Sequence, residues 1–260
     1  QFDQANFALK EIKSINRFPS ESEKATISIE NCLGNIVISD LVFQYPQTKN
    51  PIFVGLNVQF DPGEIAVITG KNGSGKTTVI KNFVTLLDPL RGSIQVDGVD
   101  VSQLSIEWWR DHISYLPQEP EFIGATLRDN IFGYQNTELD NDRINFVIDS
   151  SDLADFIQSH PDGIEMVITQ QANELSFGIK KRIALARALV NDAQIIFFDE
   201  PTESLDAKGC ERIYKTIQEL KNDNKTIIIS TGDPNIINMS SVNIDMNKKP
   251  NPEILKKNNV

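Results

Sequence analysis

Gly70-Lys71-Asn72-Gly73-Ser74-Gly75-Lys76-Thr77 decides how this chain is read. Its spacing is G-x-x-x-x-G-K-[ST], the pattern of a phosphate-binding loop. The flanks supply the context that the pattern requires. Glu64-Ile65-Ala66-Val67-Ile68-Thr69 is apolar and β-branched, the composition of a buried strand. Thr77-Thr78-Val79-Ile80-Lys81-Asn82-Phe83-Val84 carries apolar residues at helical spacing. A strand, a glycine turn and a helix N-terminus together make an anion site, because N–H groups converge there and the helix dipole favours negative charge. The glycines admit positive φ and let backbone approach phosphate closely. In such a loop Lys76 reaches the outer phosphates and Thr77 offers its hydroxyl to Mg²⁺.

Composition sets the outer bounds. The 260 residues suffice for one large domain or two small ones. Lys and Arg number 25 against 36 Asp and Glu, giving −11, which argues against a nucleic-acid footprint. Cys32 and Cys210 lie far apart, form no metal or redox spacing and fit a reducing compartment. No run of about 18 apolar residues could span a bilayer. The N-terminus lacks the cationic and apolar regions of a signal peptide. It begins at Gln1, so a fragment of something longer is expected.

Phe2, Phe7, Leu9, Ile12 and Ile15 suggest a short amphipathic helix that Pro19 ends. Ser20 to Thr26 reads as a linker. Residues 36–43 and 52–60 alternate roughly at period two and read as antiparallel strands joined by a turn around Pro46 to Pro51. Tyr45 sits at that turn, where an aromatic serves equally to stack on a base or to pack. A strand at 92–98, a short helix at 105–112 and a strand at 113–116 follow the phosphate loop and its helix. Helical signals run from Ala125 to His160, and a further helix from about Ser176 to Val190. Gln194 to Phe198 and Thr226 to Ser230 are continuous apolar runs, typical of central parallel strands, with a helix between them. The polar, lysine-rich end from Lys248 to Val260 is expected to fray. The pattern predicts an α/β fold: a phosphate-loop core with a mostly parallel sheet, an N-terminal antiparallel β subdomain and an inserted α-helical subdomain.

A second cluster carries acid chemistry. The run Ile195-Ile196-Phe197-Phe198 delivers Asp199 and Glu200 at the ligand edge of the sheet. Asp199 would hold Mg²⁺, directly or through water, and Glu200 would orient and polarise an attacking water. Gln118, in Pro117-Gln118-Glu119-Pro120, either serves a cation and its water or is a solvated loop residue. Ser176 fits a helix N-cap in Leu175-Ser176-Phe177-Gly178, and Gly178 leaves backbone accessible to a second phosphate contact.

Tyr45, the loop, Gln118, Leu175 to Gly178, Asp199-Glu200 and Ser204-Leu205-Asp206 follow one another in an order that resembles the nucleotide-binding domain of ABC transporters, over about residues 34–247. The helical subdomain would span about 119–182, with a membrane-helix end and linker at 1–33 and a tail at 248–260. Thr126-Leu127-Arg128-Asp129-Asn130-Ile131 resembles the "T-I-R-E-N-I" segment of the exporter branch. Residues 156–163 resemble its "F-I-x-x-L-P-x-G". The resemblance implies ATP and Mg²⁺ as cofactors. Tyr45 would stack on adenine; Gly70, Asn72, Gly73, Ser74, Gly75, Lys76, Thr77 and Thr78 would hold the phosphates; Thr77, Gln118 and Asp199 would serve the metal. Glu200 would be the catalytic base, helped by Gln118 and Lys76. Ser176 and Gly178 would reach ATP on the opposite subunit, with Asp206 in the loop that crosses the dimer. It further implies a second nucleotide-binding domain, a transmembrane domain of the same transporter, and a place on the cytoplasmic face of a membrane, a bacterial inner membrane being expected. A polypeptide is the expected cargo and nucleic acid is not a partner.

Two departures qualify this. The consensus L-S-G-G-Q reads Leu175-Ser176-Phe177-Gly178-Ile179 here. Where the family places a histidine, Ser230-Thr231-Gly232-Asp233-Pro234 has Gly232, which offers no side-chain donor to a transferring phosphate. Losing one such donor costs on the order of 100- to 1000-fold in rate. The segment Gln170-Gln171-Ala172-Asn173 also lacks the usual glycine. Gly232 weakens the site on this chain's own loop, and the altered signature weakens the partner's, so a slow ATPase is expected, working best in a heterodimer, with a slow homodimer as the alternative. Two other classes compete with this motor. One is a regulatory module that binds ATP and hydrolyses little, favoured by Gly232 and opposed by Glu200. The other is an ATPase of translation or DNA repair, opposed by the acidic charge and the lack of tandem domains.

Overall fold

A computed structural model describes residues 25–122, 125–133, 140–168 and 174–257. The expected N-terminal helix, most of its linker, and Gln170 to Asn173 lie outside them.

Two sheets stack across the phosphate-loop helix. The first is antiparallel, in the order β2-β1-β4-β5, with β1 Ile36–Phe43, β2 Phe53–Phe60, β4 Arg91–Val96 and β5 Val99–Asp100. Its inward side chains alternate with exposed ones, as a sheet with one wet face requires. The second sheet has six strands, ordered β10-β9-β3-β8-β7-β6. These are β3 Ile65–Thr69, β6 Ile113–Leu116, β7 Ile195–Asp199, β8 Thr226–Ser230, β9 Val242–Asp245 and β10 Glu253–Lys256. From β9 to β6 every pairing is parallel. The residues of β7 and β8 are buried along their whole length, which their unbroken apolar runs demand.

Helix α1, Lys76–Phe83, lies between the sheets. Phe83 meets Phe60 at 6.2 Å and Phe197 at 6.4 Å, joining both sheets in one core. A second core covers the other face of the parallel sheet. It takes in the inserted helical subdomain and α6, Phe177–Val190, with α7, Ala207–Asn222. The helix expected at 105–112 is α2, Ile106–His112, with Ser105 as its N-cap.

The helical stretch from Ala125 to His160 is not continuous. It divides into α3 Leu127–Phe132, α4 Asn141–Ser150 and α5 Ala154–Ser159. Thr126 and Asp129 form a capping box on α3, and Asp140 caps α4. Asp152, at φ 53°, takes the left-handed conformation that ends α4 and turns the chain into α5.

Residues 248–257 correct the expectation of fraying, and 258–260 lie outside the described residues. Asp233 caps α8, Pro234–Met239, and β9 follows. β10 then pairs antiparallel with β9, Glu253 opposite Asp245. An edge strand needs only its backbone to join a sheet, so Glu253 and Lys256 at its ends are no obstacle.

Candidate functional site

β3 ends at Thr69, whose hydroxyl donates to Asn243 Oδ1 at 2.8 Å, and the loop begins there. Gly70 has φ 149° and Gly75 φ 107°. A Cβ at Gly70 would lie 2.5 Å from Ser74 Oγ, and one at Gly75 2.5 Å from Ile52 Cγ2. Both positions therefore demand glycine on grounds of conformation and of space. The far end of the chain staples the loop: Lys71 N–H donates to Asn247 Oδ1 at 3.0 Å, and Lys249 Nζ to the Gly73 carbonyl at 3.1 Å. Lys76 Nζ donates to the Gly70 carbonyl at 3.0 Å and pairs with Glu200 Oε1 at 3.0 Å.

The loop and the acid strand meet around Gln118. Thr77 Oγ1 donates to Gln118 Oε1 at 3.3 Å, and Gln118 Nε2 donates to Glu203 Oε2 at 3.0 Å. Asp199 is fully buried at the end of β7. Its Oδ1 accepts from Ser230 Oγ, while Oδ2 is buried without a hydrogen-bond partner. An orphaned buried carboxylate oxygen is costly, so a cation fits here. The nearby donors are a hydroxyl, an amide and one carboxylate, an oxygen set suited to Mg²⁺, which uses few carboxylates and keeps waters and phosphates. Glu200 follows at φ 48°, a conformation uncommon outside glycine and found at functional sites. Its N–H donates to the Ser230 carbonyl at 2.9 Å, which fixes the turn.

One residue of this assembly was not singled out by its sequence motif. Lys181 on α6 is 1% exposed. Its Nζ donates to the carbonyls of Pro117 at 3.0 Å, Gln118 at 3.1 Å and Asp199 at 2.9 Å. Burial pulls its ammonium down to about 8, against the opposing pull of Asp199, Glu203 and Glu200. A signal existed: Lys181 shares the buried stripe of α6 with Ala184, Leu185 and Ala188.

Tyr45 is half-buried, its ring edge-on to Phe43 at 4.9 Å. Its hydroxyl and Thr78 Oγ1 lie 3.1 Å apart, which ties the ring to the first turn of α1.

The sequence profile described as ABC transporter matches residues 53–203. This chain belongs to that family. It is 33% identical over 229 residues to "ABC transporter B family member 1" of Dictyostelium discoideum, covering 87% of this chain and 25% of that protein. It is 31% identical over 206 residues to "ABC transporter B family member 29, chloroplastic" of Arabidopsis thaliana, with 78% and 32% covered. With "ABC multidrug transporter MDR2" of Trichophyton equinum it shares 32% over 204 residues, 78% of this chain and 15% of that one. The chain thus spans about a quarter of the length of the first of these relatives. In fold it is similar to a solved structure titled "Structure of a bacterial Atm1-family ABC exporter with ATP bound", with TM-score 0.82, 24% identity, and 94% and 43% of the two chains covered.

Of the positions that depart from the ABC family's pattern, Gly232 follows β8 beside the strand that feeds the loop, Thr231 N–H donating to the Ile68 carbonyl at 3.0 Å, while residues 175–179 lie at the start of α6. Ser176 caps α6, accepting from Ile179 N–H at 3.3 Å, and Phe177 is 39% exposed. A Cβ at Gly178 would lie 3.4 Å from the Ser204 carbonyl, so the loop before α7 packs against the first turn of α6. In that loop Asp206 caps α7 through Gly209 N–H at 2.9 Å and meets Arg182 Nη2 at 3.1 Å. The Gly209 N–H first, then Arg182, hold its carboxyl below the usual range. A Cβ at Gly232 would meet nothing within 4 Å among the described residues, so a side chain has room there. The histidines lie elsewhere: His112 stacks on Trp108 at 4.0 Å, and His160 lies beside Asp162. Among the described residues no helix is long and apolar enough to cross a membrane.

Proposed function

We propose that this chain is the ATP-binding and hydrolysing part of an ABC exporter, and that it turns over slowly. The observation that carries the proposal is the joining of loop, Gln118 and acid strand: Lys76 bonds Glu200 while Thr77 bonds Gln118. Cradle, cation holders and water-positioning acid are the parts that phosphoryl transfer requires.

In this reading Tyr45 receives the adenine, and Gly70 to Thr78 receive the phosphates. Thr77, Gln118 and Asp199 would hold Mg²⁺, which supplies charge neutralisation on the phosphate oxygens. Lys76 moves from Glu200 to the outer phosphates. Glu200, so released, orients a water and accepts its proton. Ser176 and Gly178 act on the nucleotide of a second nucleotide-binding domain, and Asp206 belongs to the crossing loop between them. No donor at Gly232 helps the leaving or transferring phosphate, so hydrolysis lags.

The proposed ATPase domain is 34–247, with its helical subdomain at about 119–182. Its partners are a transmembrane domain and an identical or different ATPase domain, at the cytoplasmic face of a membrane. The exporter-type segments at 126–131 and 156–163 support the exporter branch, and within it a bacterial inner membrane and a polypeptide cargo are the proposed setting and substrate. The multidrug names of relatives make drugs the competing class, and stimulation of the full protein's ATPase by peptide or by drug separates the two.

Gly232 favours a second reading, a subunit that binds ATP, hydrolyses little and pairs with a complete partner. Equilibrium ATP binding tests what both readings share. Binding that Lys76→Ala weakens by about tenfold or more supports them. Equal binding by parent and variant contradicts both.

A further inference from the structure

Lys181 costs the fold something. A lysine that is 1% exposed has lost its water shell, and among the described residues its ammonium hydrogen-bonds no carboxylate. Its partners are instead main-chain oxygens of separate segments. Pro117 and Gln118 follow β6, Asp199 ends β7, and Lys181 itself comes from the second turn of α6. An ammonium has three donors, and these carbonyls take all three. They sit where the parallel ladder of β6 and β7 runs out, since Leu116 opposite Phe198 is its last pair. Beyond that pair no strand pairing fixes the spacing of Gln118 and Asp199.

We propose that Lys181 is a positioning residue for the cation site: its ammonium clamps the Pro117, Gln118 and Asp199 carbonyls, so that α6 sets where Gln118 and Asp199 stand. The inference rests on the reading of Thr77, Gln118 and Asp199 as cation holders. It extends that reading to the helix that Ser176 opens. A shift of α6 acts through Lys181 on both sides of the cation site at once.

Three roles for Lys181 predict different results. A positioning lysine, when lost, weakens Mg²⁺. A lysine acting only through charge has the opposite sign, because removing a cation beside Asp199 strengthens Mg²⁺. A lysine needed only for packing changes thermal stability and leaves metal binding alone.

The experiment is equilibrium binding of ADP, with and without Mg²⁺, to the parent, Lys181→Met and Lys181→Gln, beside the unfolding midpoint without nucleotide. Methionine matches the length and volume of the stem; glutamine restores a neutral donor. The parent should bind ADP more tightly with Mg²⁺. Lys181→Met should lose about tenfold of that tightening, as for residues that orient metal ligands, while its Mg²⁺-free affinity stays within about twofold. Lys181→Gln should recover part of it, losing about threefold, and it carries the test if the methionine variant does not fold. Full or enhanced Mg²⁺ tightening in the variants overturns the inference. A parent without any Mg²⁺ effect overturns the reading of the cation holders, and the inference with it.

Discussion

Lys76 Nζ lies 3.0 Å from Glu200 Oε1, so the cation proposed for phosphate is held by the acid proposed for water. Both side chains are largely shielded, at 9% and 18% exposure, which makes the pair stronger than a surface bridge. Phosphate binding must displace this carboxylate. Glu200→Gln should therefore bind ATP about tenfold more tightly than the parent, about 1.4 kcal/mol. Glu203→Gln is the control, since Glu203 bonds Gln118 and not Lys76; it should gain less. Equal gains would mean that general charge repulsion, not the pair, limits binding.

The room at Gly232 makes repair possible. Among the described residues, none meets the Cβ of a histidine there. Gly232→His should raise the hydrolysis rate at least about tenfold, part of what a missing phosphate donor costs. A rate no faster than the parent's means that the glycine is not the limiting defect.

Tyr45 separates its two possible roles by variant. Tyr45→Phe loses the bond to Thr78, worth about 1 kcal/mol, but keeps the ring. It should retain ATP affinity within about threefold. Tyr45→Ala should lose about tenfold or more if the ring stacks on a base, since stacking is worth about 1–3 kcal/mol. Equal affinities for all three proteins would leave Tyr45 a packing residue.

Asp206 gives a pH dependence of defined sign. Its carboxyl is held below the usual range in the folded chain, so its contribution is present above the unfolded carboxylate value and lost as pH falls through the folded one. Asparagine also caps helices well, so Asp206→Asn removes charge and keeps the cap. The variant should melt slightly below the parent at about pH 7, and the gap should narrow as pH falls below the ordinary carboxylate range. A constant gap would place the effect in the cap and not in the charge.

Much of this was legible because it is local. The loop motif, the buried runs of β3, β7 and β8, and the N-cap at Ser176 are each set by neighbours in sequence, and the structure places them as read. What escaped depends on distant partners. β10 is only four residues long, in a polar flank that hides its Ile254 and Leu255, and it exists because β9 offers an edge. Asn247 and Lys249 look like tail residues, yet they hold Lys71 and Gly73. Lys181 lies on the apolar stripe of α6, but its role depends on carbonyls after β6 and at the end of β7 that the sequence does not bring together. The helical lobe read as one stretch because the break at Asp152 needs a positive φ that aspartate only sometimes adopts.

The central claim is a slow ATP site assembled between two domains. Steady-state ATP hydrolysis by the purified chain, across protein concentration and with Glu200→Gln as the blank, tests it most directly. The account predicts a low rate above the blank that rises more steeply than linearly with concentration. No rate above the blank, with ATP still bound, would contradict it and leave a subunit that depends on a different partner.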